Sequence, residues 1–243
     1  MIRPLLWGAA IVLLGLSAPL AEAQSAPSAQ VPGAPAIQAK DAIRAKDAIQ
    51  AKDEDAILKQ VDLHYNHLAS LRTQFTERYT GLGIDRTETG TLLLKKPGRM
   101  RWDYTTPAGK LFVLDGKYAW SYTPGDAQVG RMPAKRVDDL RSPLRFLLGH
   151  TQLKKELDRL SITPEPGGYR IAGIPKGLGE RVKELVLDTS ADGRITKIRL
   201  EELDGASTEF TFDRSEENIA IPETEFRYSP PAGVAVVEGL PPV

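Results

Sequence analysis

Two histidines are the residues of this chain whose type and spacing best suit chemistry. His64 and His67 lie three residues apart, so both imidazoles would share one face of a helix and could chelate a metal ion. No third ligand with suitable spacing follows them, and His150 is isolated. The chain also lacks cysteine, a Gly-x-Ser-x-Gly or His-Glu-x-x-His motif and a phosphate-cradling glycine loop. We therefore expect no enzymatic activity, no metal and no cofactor.

Large side chains recur at every second position in two short segments, residues 99–104 and 118–122. Alternation of this kind predicts β-strands with one aromatic face. In most proteins such side chains form the core, but rings and a methionine also make an adaptable wall for acyl chains, which have no fixed shape. Trp102 is the candidate that we rank first for a ligand contact. The alternating residues are Met100, Trp102 and Tyr104 in the first segment and Tyr118, Trp120 and Tyr122 in the second.

An amphipathic helix is predicted ahead of these strands. From residue 57 onwards the apolar positions advance by fours and threes and line one helical face, which another element must cover. These positions are Ile57, Val61, Tyr65, Leu68, Leu71 and Phe75.

Beyond this helix the apolar residues alternate, and proline, glycine and aspartate separate short segments. Nearly continuous hairpin spacing predicts one large, curved antiparallel sheet. The predicted strands are residues 87–95, 99–104, 111–114, 118–122, 128–132, 169–174, 182–188, 194–201 and 208–213.

A second amphipathic segment, residues 136–149, interrupts the strands and includes Leu144 and Leu147. Pro143 should kink it or split it into two short helices. A curved sheet with separate amphipathic helices predicts an α+β fold, a half-barrel with a helical cover. The periodicity leaves open whether the interior is a filled core or a cavity.

The N-terminus has the order of a secretory signal peptide over residues 1–23. Arg3 precedes an apolar run of residues 5–20, and the small-x-small sequence of residues 21–23 follows it. The apolar run is short for a membrane span. The predicted location is therefore the periplasm, after cleavage of the signal peptide. Since no cysteine is present, neither a disulfide nor a lipidated cysteine is possible.

Residues 24–54 are predicted to be a spacer outside the folded body. They include three copies of an Ala-Ile-x-Ala-Lys-Asp hexad between residues 36 and 53, and a spacing of six places the isoleucines on different sides of a helix. Residues 55–243 then form one domain. With 32 basic and 32 acidic residues, the chain suggests neither nucleic acid nor an anionic membrane surface as its main partner.

The segment from Thr89 to Tyr104 resembles the characteristic stretch of the LolA family, G-x-L-x-x-(K/R)-(K/R)-P followed by an aromatic-rich strand. Here the motif runs from Gly90 through Leu92 to Lys96 and Pro97. Residues 71–77 are similar to the family's helix-to-first-strand junction, and residues 228–234 are similar to its C-terminal end. The resemblance spans nearly all of residues 57–237.

This resemblance implies an unclosed antiparallel β-barrel, a strongly curved sheet covered by a helical lid. Its interior would take the acyl chains of lipidated proteins, received from an inner-membrane ABC-type lipoprotein-releasing complex and delivered to an outer-membrane acceptor lipoprotein or the outer membrane. In the family a basic residue before the proline, usually arginine, latches the lid; that position is Lys96. The expected cavity residues are Tyr65, Leu68, Leu92, Leu94, Met100, Trp102, Tyr104, Trp120, Leu144 and Leu147.

Two other functions fit the same fold. One is a carrier of glycolipids or other free lipids, and the other is an envelope-stress regulator that binds lipid or a periplasmic segment of a membrane protein. A hydrolase is disfavoured because no nucleophile constellation is present. We expect a monomeric periplasmic chaperone for lipoproteins.

Overall fold

The computed structural model describes residues 53–136 and 152–239. Residues 53–67 form a helix, α1, which includes the last two residues of the predicted spacer. The other elements are β1 (Ser70–Gly81), β2 (Ile84–Lys95), β3 (Arg99–Thr106), β4 (Leu111–Leu114), β5 (Tyr118–Tyr122), β6 (Gln128–Pro133), α2 (Leu153–Glu156), β7 (Leu157–Glu165), β8 (Gly168–Pro175), β9 (Val182–Ser190), β10 (Ile195–Glu202), β11 (Ser207–Glu217), a 3-10 helix (Glu223–Phe226) and β12 (Ala235–Glu238).

These strands form one sheet in the order β12-β6-β5-β4-β3-β2-β1-β11-β10-β9-β8-β7. Neighbouring strands are antiparallel except β12, which runs parallel to β6. Three strand spacings, about 14 Å in a flat sheet, separate β3 from β11. The ring centroids of Trp102 and Phe210, one on each strand, are only 5.3 Å apart. The sheet is therefore strongly curved and unclosed, which confirms the predicted fold class.

Helix α1 covers the concave face of the sheet. Its buried residues Leu58, Val61 and Tyr65 follow the predicted spacing of three and four. The prediction that the same helix continues to Phe75 is wrong, because β1 begins at Ser70. A separation of four, as between Leu71 and Phe75, suits one helical face and also one face of a strand, since four is a multiple of two.

The nine strands predicted from alternation are confirmed, most of them extended by one to four residues at an end. β7 and β12 were not predicted. β7 contains an irregular register between Asp158 and Ser161, with Arg159 at φ +51°, so its apolar residues do not alternate strictly. β12 has only four residues, too few for a period of two to be distinctive.

A two-residue turn, Leu82-Gly83, joins β1 to β2. Its φ angles are +52° and +78°, as a primed hairpin turn requires.

At the centre of β2, Gly90 lets two neighbours approach closely. A Cβ atom there would lie 2.2 Å from the carbonyl oxygen of Asp103 and 2.7 Å from the ring of Phe75.

Residues 218–234, which we call the crossing segment, run over the convex face of the sheet from β11 to β12. Ile221 and Phe226 pack there on Leu93. Lys95 Nζ donates a hydrogen bond to the carbonyl oxygen of Ile221 at 2.7 Å. The crossing segment therefore covers the face of β2 that points away from α1.

Candidate functional site

The concave face of the central strands is an apolar wall. Opposite residues of β2, β3 and β4 place Leu94, Met100 and Leu114 in one cross-strand row. The next row contains Leu92, Trp102 and Phe112. Leu92 and Leu94 are fully buried, and Trp102 is 2% exposed. Apolar side chains of this size and burial need an apolar neighbour on the open side of the sheet, which α1 supplies.

Aromatic rings continue this wall across β1 and β11. The ring of Phe75 meets Trp102 edge to face at a centroid distance of 4.6 Å and Tyr104 at 5.0 Å. Phe210 and Phe212 contact Trp102 from the other side, at 5.3 and 6.3 Å. Sequence reasoning did not assign Phe75, Phe210 or Phe212 to this wall. The sequence did contain a sign of it: Phe75 alternates with Thr76, and Phe210 and Phe212 alternate with Thr211, on two strands that pair.

Trp102 carries an unused hydrogen-bond donor into this interior. Within the part of the chain that the structure describes, its buried indole Nε1 has no hydrogen-bond partner. An unpaired buried donor costs about 1–3 kcal/mol, so it is uncommon in a finished core. The indole could therefore donate to an oxygen atom of a bound molecule.

Helix α1 is fixed over the wall by polar contacts at several points. The hydroxyl of Tyr65 accepts a hydrogen bond from the backbone N–H of Ile195 at 3.0 Å, and burial raises the pKa of this hydroxyl. Asp62 Oδ1 accepts a hydrogen bond from the N–H of Leu153 at 3.1 Å. These contacts orient the helix so that its apolar side covers the wall.

Lys96 lies beneath the C-terminal end of α1. Its Nζ donates a hydrogen bond to the carbonyl oxygen of Tyr65, and its backbone N–H donates to the carbonyl oxygen of Ala69 at 2.9 Å. Burial lowers the pKa of the Lys96 amine. Carbonyl groups at a helix C-terminus carry partial negative charge and favour a cation. The residue predicted as the latch is thus in contact with the helix that it would hold.

Trp120 lies apart from the other predicted cavity residues. In the register of β4 with β5, Trp120 is opposite Val113, whereas Phe112, the partner of Trp102, is opposite Ser121. Successive residues of a strand point to opposite faces, so Trp120 is on the convex face. It packs there with Tyr118 and with Tyr228 of the crossing segment. The concave wall therefore does not include Trp120.

The remaining predicted cavity residues fall into two groups. Tyr65, Leu68, Leu92, Leu94, Met100 and Trp102 belong to one buried cluster, and Tyr104 packs against it. Leu144 and Leu147 lie outside the described residues, as do Pro143 and most of the predicted second helical segment.

The two histidines do not form a metal site in the described residues. His64 Nε2 is 3.1 Å from Glu217 Oε1 of β11, and His67 is exposed. Within residues 53–136 and 152–239, no cluster of three or more histidine, aspartate or glutamate side chains could hold a metal ion. In the same residues, no helix has the length and apolar character needed to span a membrane.

Two grooves lie elsewhere on the described surface. One, of about 540 Å³, is on the convex face between β11, β1, β2 and β3, and threonines dominate its lining. The other, of about 470 Å³, lies beside β12. The first is lined by Gln74, Phe75, Thr76, Thr89, Gly90, Thr91, Thr105, Thr211, Phe212 and Asp213, and the second by residues 121–123, 126–128, 130 and 237–239.

Comparisons with known proteins agree with this geometry. The profile of the family described as outer membrane lipoprotein carrier protein LolA matches residues 66–229. An outer-membrane lipoprotein carrier protein of Chromobacterium violaceum is 28% identical over 181 residues, which cover 70% of this chain and 82% of the relative. Another, of Dechloromonas aromatica, is 30% identical over 148 residues, 61% of this chain and 70% of the relative.

A solved structure of an uncharacterised conserved protein from Thermus thermophilus superposes with a TM-score of 0.49 at 14% identity. The superposition covers 76% of this chain and 99% of that protein. The family profile extends over more than half of the sequence, from the end of α1 into the crossing segment. The chain therefore belongs to the LolA family of outer-membrane lipoprotein carrier proteins.

Proposed function

We propose that this protein is a periplasmic chaperone that shelters the acyl chains of lipoproteins between its concave wall and α1. The single observation that carries the proposal is the buried wall around Trp102, with its unpartnered indole N–H. Buried donors without a partner are uncommon in protein cores. An ester or amide carbonyl of an acylated cysteine would be a suitable acceptor.

The physical need for such a carrier is large. Exposure of a 16-carbon acyl chain to water costs about 12 kcal/mol at roughly 0.8 kcal/mol per methylene. A lipidated protein therefore does not cross an aqueous compartment freely. To bury an acyl chain against the wall, α1 has to move away from it, because Leu58, Val61 and Tyr65 occupy that space in this structure.

Lys96 is the proposed latch for this movement. Its amine contacts the carbonyl oxygen of Tyr65 at the end of α1. An ammonium group lacks the planar fork of a guanidinium group, so fewer bonds hold the helix than arginine would provide. The desolvated amine makes the closed state easier to open, which suits a carrier that has to accept and release its cargo.

We further propose that cargo arrives from an inner-membrane ABC-type releasing complex and leaves to an outer-membrane acceptor. The signal peptide of residues 1–23 would deliver the chain to the periplasm, and residues 24–54 would act as a spacer from the carrier domain of residues 55–243. Delivery needs no catalytic step in this chain, because insertion of the acyl chains into the outer membrane is favourable, whereas extraction from the inner membrane would require the work of the ABC-type complex.

Native mass spectrometry of the protein purified from periplasm tests the proposal. A lipoprotein is co-expressed, and its matched control is the same cargo with the lipidated cysteine replaced by serine. We expect one-to-one complexes with the triacylated form and none with the control. Binding of both forms would contradict acyl-chain recognition, and free phospholipid or glycolipid alone would favour a lipid carrier.

Lys96→Met tests the latch. The methionine side chain has a similar length but donates no hydrogen bond, so α1 loses its contact at Tyr65. We expect the variant to bind cargo and to release it to acceptor membranes several-fold more slowly or less completely, since closure of α1 over the emptied wall is weakened. Lys95→Met, on the adjacent exterior-facing residue, is the control. Release by Lys96→Met at the rate of the unmodified protein would exclude the latch.

A further inference from the structure

Two neighbouring turns at one end of the sheet carry exposed aliphatic side chains. The turn between β1 and β2 contains Leu82, and Ile84 follows it, while the turn between β10 and β11 contains Leu203. These turns lie side by side because β1 pairs with β11. A Cβ atom at Gly81 would lie only 2.7 Å from the Cβ atom of Ala206. We call Leu82, Ile84 and Leu203 the apolar rim.

The apolar rim contains the most exposed large apolar side chains of the described residues. Leu82, Ile84 and Leu203 are 82%, 51% and 59% exposed. The other exposed large apolar residues of the described chain, Leu63 and Val236, lie on α1 and β12 and are 45% and 43% exposed. Single exposed aliphatic residues are common on protein surfaces, whereas a cluster marks a contact with another molecule or a membrane.

The backbone at Leu82 gives a second, independent sign of such a contact. Leu82 has φ +52°, a left-handed conformation that leucine rarely adopts. Asparagine or glycine would suit this turn position better. Since the side chain is mostly exposed, packing within the fold does not repay the unfavourable backbone conformation. A contact outside the chain accounts for a leucine here, where the stability of the fold does not.

Charged residues that border the apolar rim pair with one another. Arg78 Nη2 lies 2.8 Å from Asp85 Oδ2 beside the first turn, and Arg181 Nε lies 3.8 Å from Glu202 Oε1 beside the second. Asp204 adds a negative charge to the second turn. The rim therefore offers little excess positive charge to anionic lipid headgroups. Its attraction to a partner is apolar.

The shape of the apolar rim favours a bilayer over a protein as this partner. A stable interface between two proteins buries about 800 Å² on each side, and three side chains provide only a fraction of that area. The side chains also stand at the tips of turns instead of lining a groove. The boundary between headgroups and acyl chains accepts small apolar protrusions without a matching surface.

We propose that the apolar rim inserts into the headgroup boundary of a zwitterionic bilayer and brings this protein into direct contact with a membrane. The inference goes beyond the proposed carrier function, because the contact needs no bound cargo. Ser70 at the start of β1 is opposite Lys95, next to the latch, and Gly81 at its end adjoins the rim. The 12 residues of β1 extend about 36 Å at the usual strand rise. The latch therefore stays clear of the membrane during the contact.

Flotation of the cargo-free mature protein with lipid vesicles tests the proposal. One set of vesicles contains phosphatidylcholine alone, and the other also contains phosphatidylglycerol. We expect similar binding to both, with little loss at high salt, because apolar burial is not screened. In the Leu82→Asn/Ile84→Thr/Leu203→Gln variant, we expect the partition coefficient to fall at least about tenfold, since three aliphatic side chains no longer enter the bilayer.

The matched control is Leu63→Gln/Val236→Thr, which removes exposed apolar side chains from other elements and should leave binding unchanged. Circular dichroism checks that each variant folds. Leu82→Asn alone gives a further readout, because it relieves the backbone at the turn. We expect this variant to resist urea at least as well as the unmodified protein and yet to bind vesicles more weakly, a combination that a folding defect does not produce.

Several outcomes would overturn the role of the apolar rim. They are equal vesicle binding by the folded triple variant, no binding by the unmodified protein, and binding that requires phosphatidylglycerol and disappears at high salt. Slower cargo delivery by the triple variant without any vesicle binding would instead assign the rim to a protein partner. Vesicle binding through the rim, in a protein that forms no complex with lipidated cargo, would overturn the carrier function and leave this inference intact.

Discussion

The two faces of the sheet each bury a tryptophan, but the hydrogen bonding of the indole N–H differs between them. On the convex face, Trp120 Nε1 donates a hydrogen bond to Asp115 Oδ2 at 2.8 Å. On the concave face, Trp102 Nε1 has no acceptor within the described residues. The first arrangement is that of a finished core, covered by the chain itself. The second has a donor left over, which a bound molecule could use.

Asp115 shows how complete the convex arrangement is. Its carboxylate also accepts hydrogen bonds from the backbone N–H groups of Lys117 and Tyr118, both at 2.7 Å. Burial alone raises the pKa of Asp115, but the hydrogen bonds from Tyr118, Trp120 and Lys117 outweigh it and hold the pKa below its usual range. The indole of Trp120 therefore has an acceptor that belongs to the fold, whereas the buried hydroxyl of the neighbouring Tyr228 has no partner within the described residues.

The largest effect should come from shortening a side chain of the concave wall. Phe75→Ala removes a ring that is 2% exposed and that contacts both Trp102 and Tyr104. We expect a loss of about 3–5 kcal/mol in the free energy of unfolding, measured with urea. Thr76→Ala, one residue along on the convex face, is the control and should stay within about 0.5 kcal/mol. Similar losses in both would remove the distinction between the faces.

A smaller difference in unfolding free energy should distinguish Trp120 from Trp102. Phenylalanine at either position retains an aromatic ring and deletes the indole N–H, but only at Trp120 does this leave an acceptor, Asp115, without its donor. We expect Trp120→Phe to lose about 1–2 kcal/mol more unfolding free energy than Trp102→Phe. Cargo retention should weaken in Trp102→Phe alone. The reverse order of stability, or equal retention, would show that both indoles are structural.

The smallest effect concerns the turn between β1 and β2. Leu82 has φ +52° and is 82% exposed, so its side chain gains little from packing while its backbone is in a region that favours asparagine or glycine. Leu82→Asn should stabilise the fold by up to about 1 kcal/mol in urea unfolding. Because this turn is remote from both tryptophans, cargo retention should not change; a destabilised variant would assign a packing role to the leucine.

Much of the sheet was predictable because its two faces have different neighbours. Alternation marks a strand whenever one side is buried and the other is wet, as in residues 99–104. Alternation fails as a sign where the helical spacing and the strand spacing fit the same residues, which is why Leu71 and Phe75 suggested a longer helix. It also fails for β12, a four-residue strand at the edge of the sheet that pairs with β6.

The residue types of the candidate site were predictable from the sequence, but the face of the sheet on which each residue lies was not. Trp102 and Trp120 belong to equally regular aromatic patterns, and only the register of β3, β4 and β5 reveals that they point in opposite directions. Register depends on which residues meet across strands, and a one-residue shift reverses the faces. The pairing of two buried carboxylates, Glu77 and Glu88, was missed for a similar reason, because they become neighbours only when β1 pairs with β2.

The position of β1 has a consequence for how the chain reaches this structure. β1 is the first strand of the described residues, yet it lies in the middle of the sheet, between β2 and β11. As the chain is synthesised, β1 and β2 can pair early, but the other edge of β1 has to wait for residues 127 to 146 positions later. Contacts so distant in sequence slow folding and prolong the exposure of apolar strands to aggregation. The centre of the sheet is therefore completed only after β11 has been synthesised.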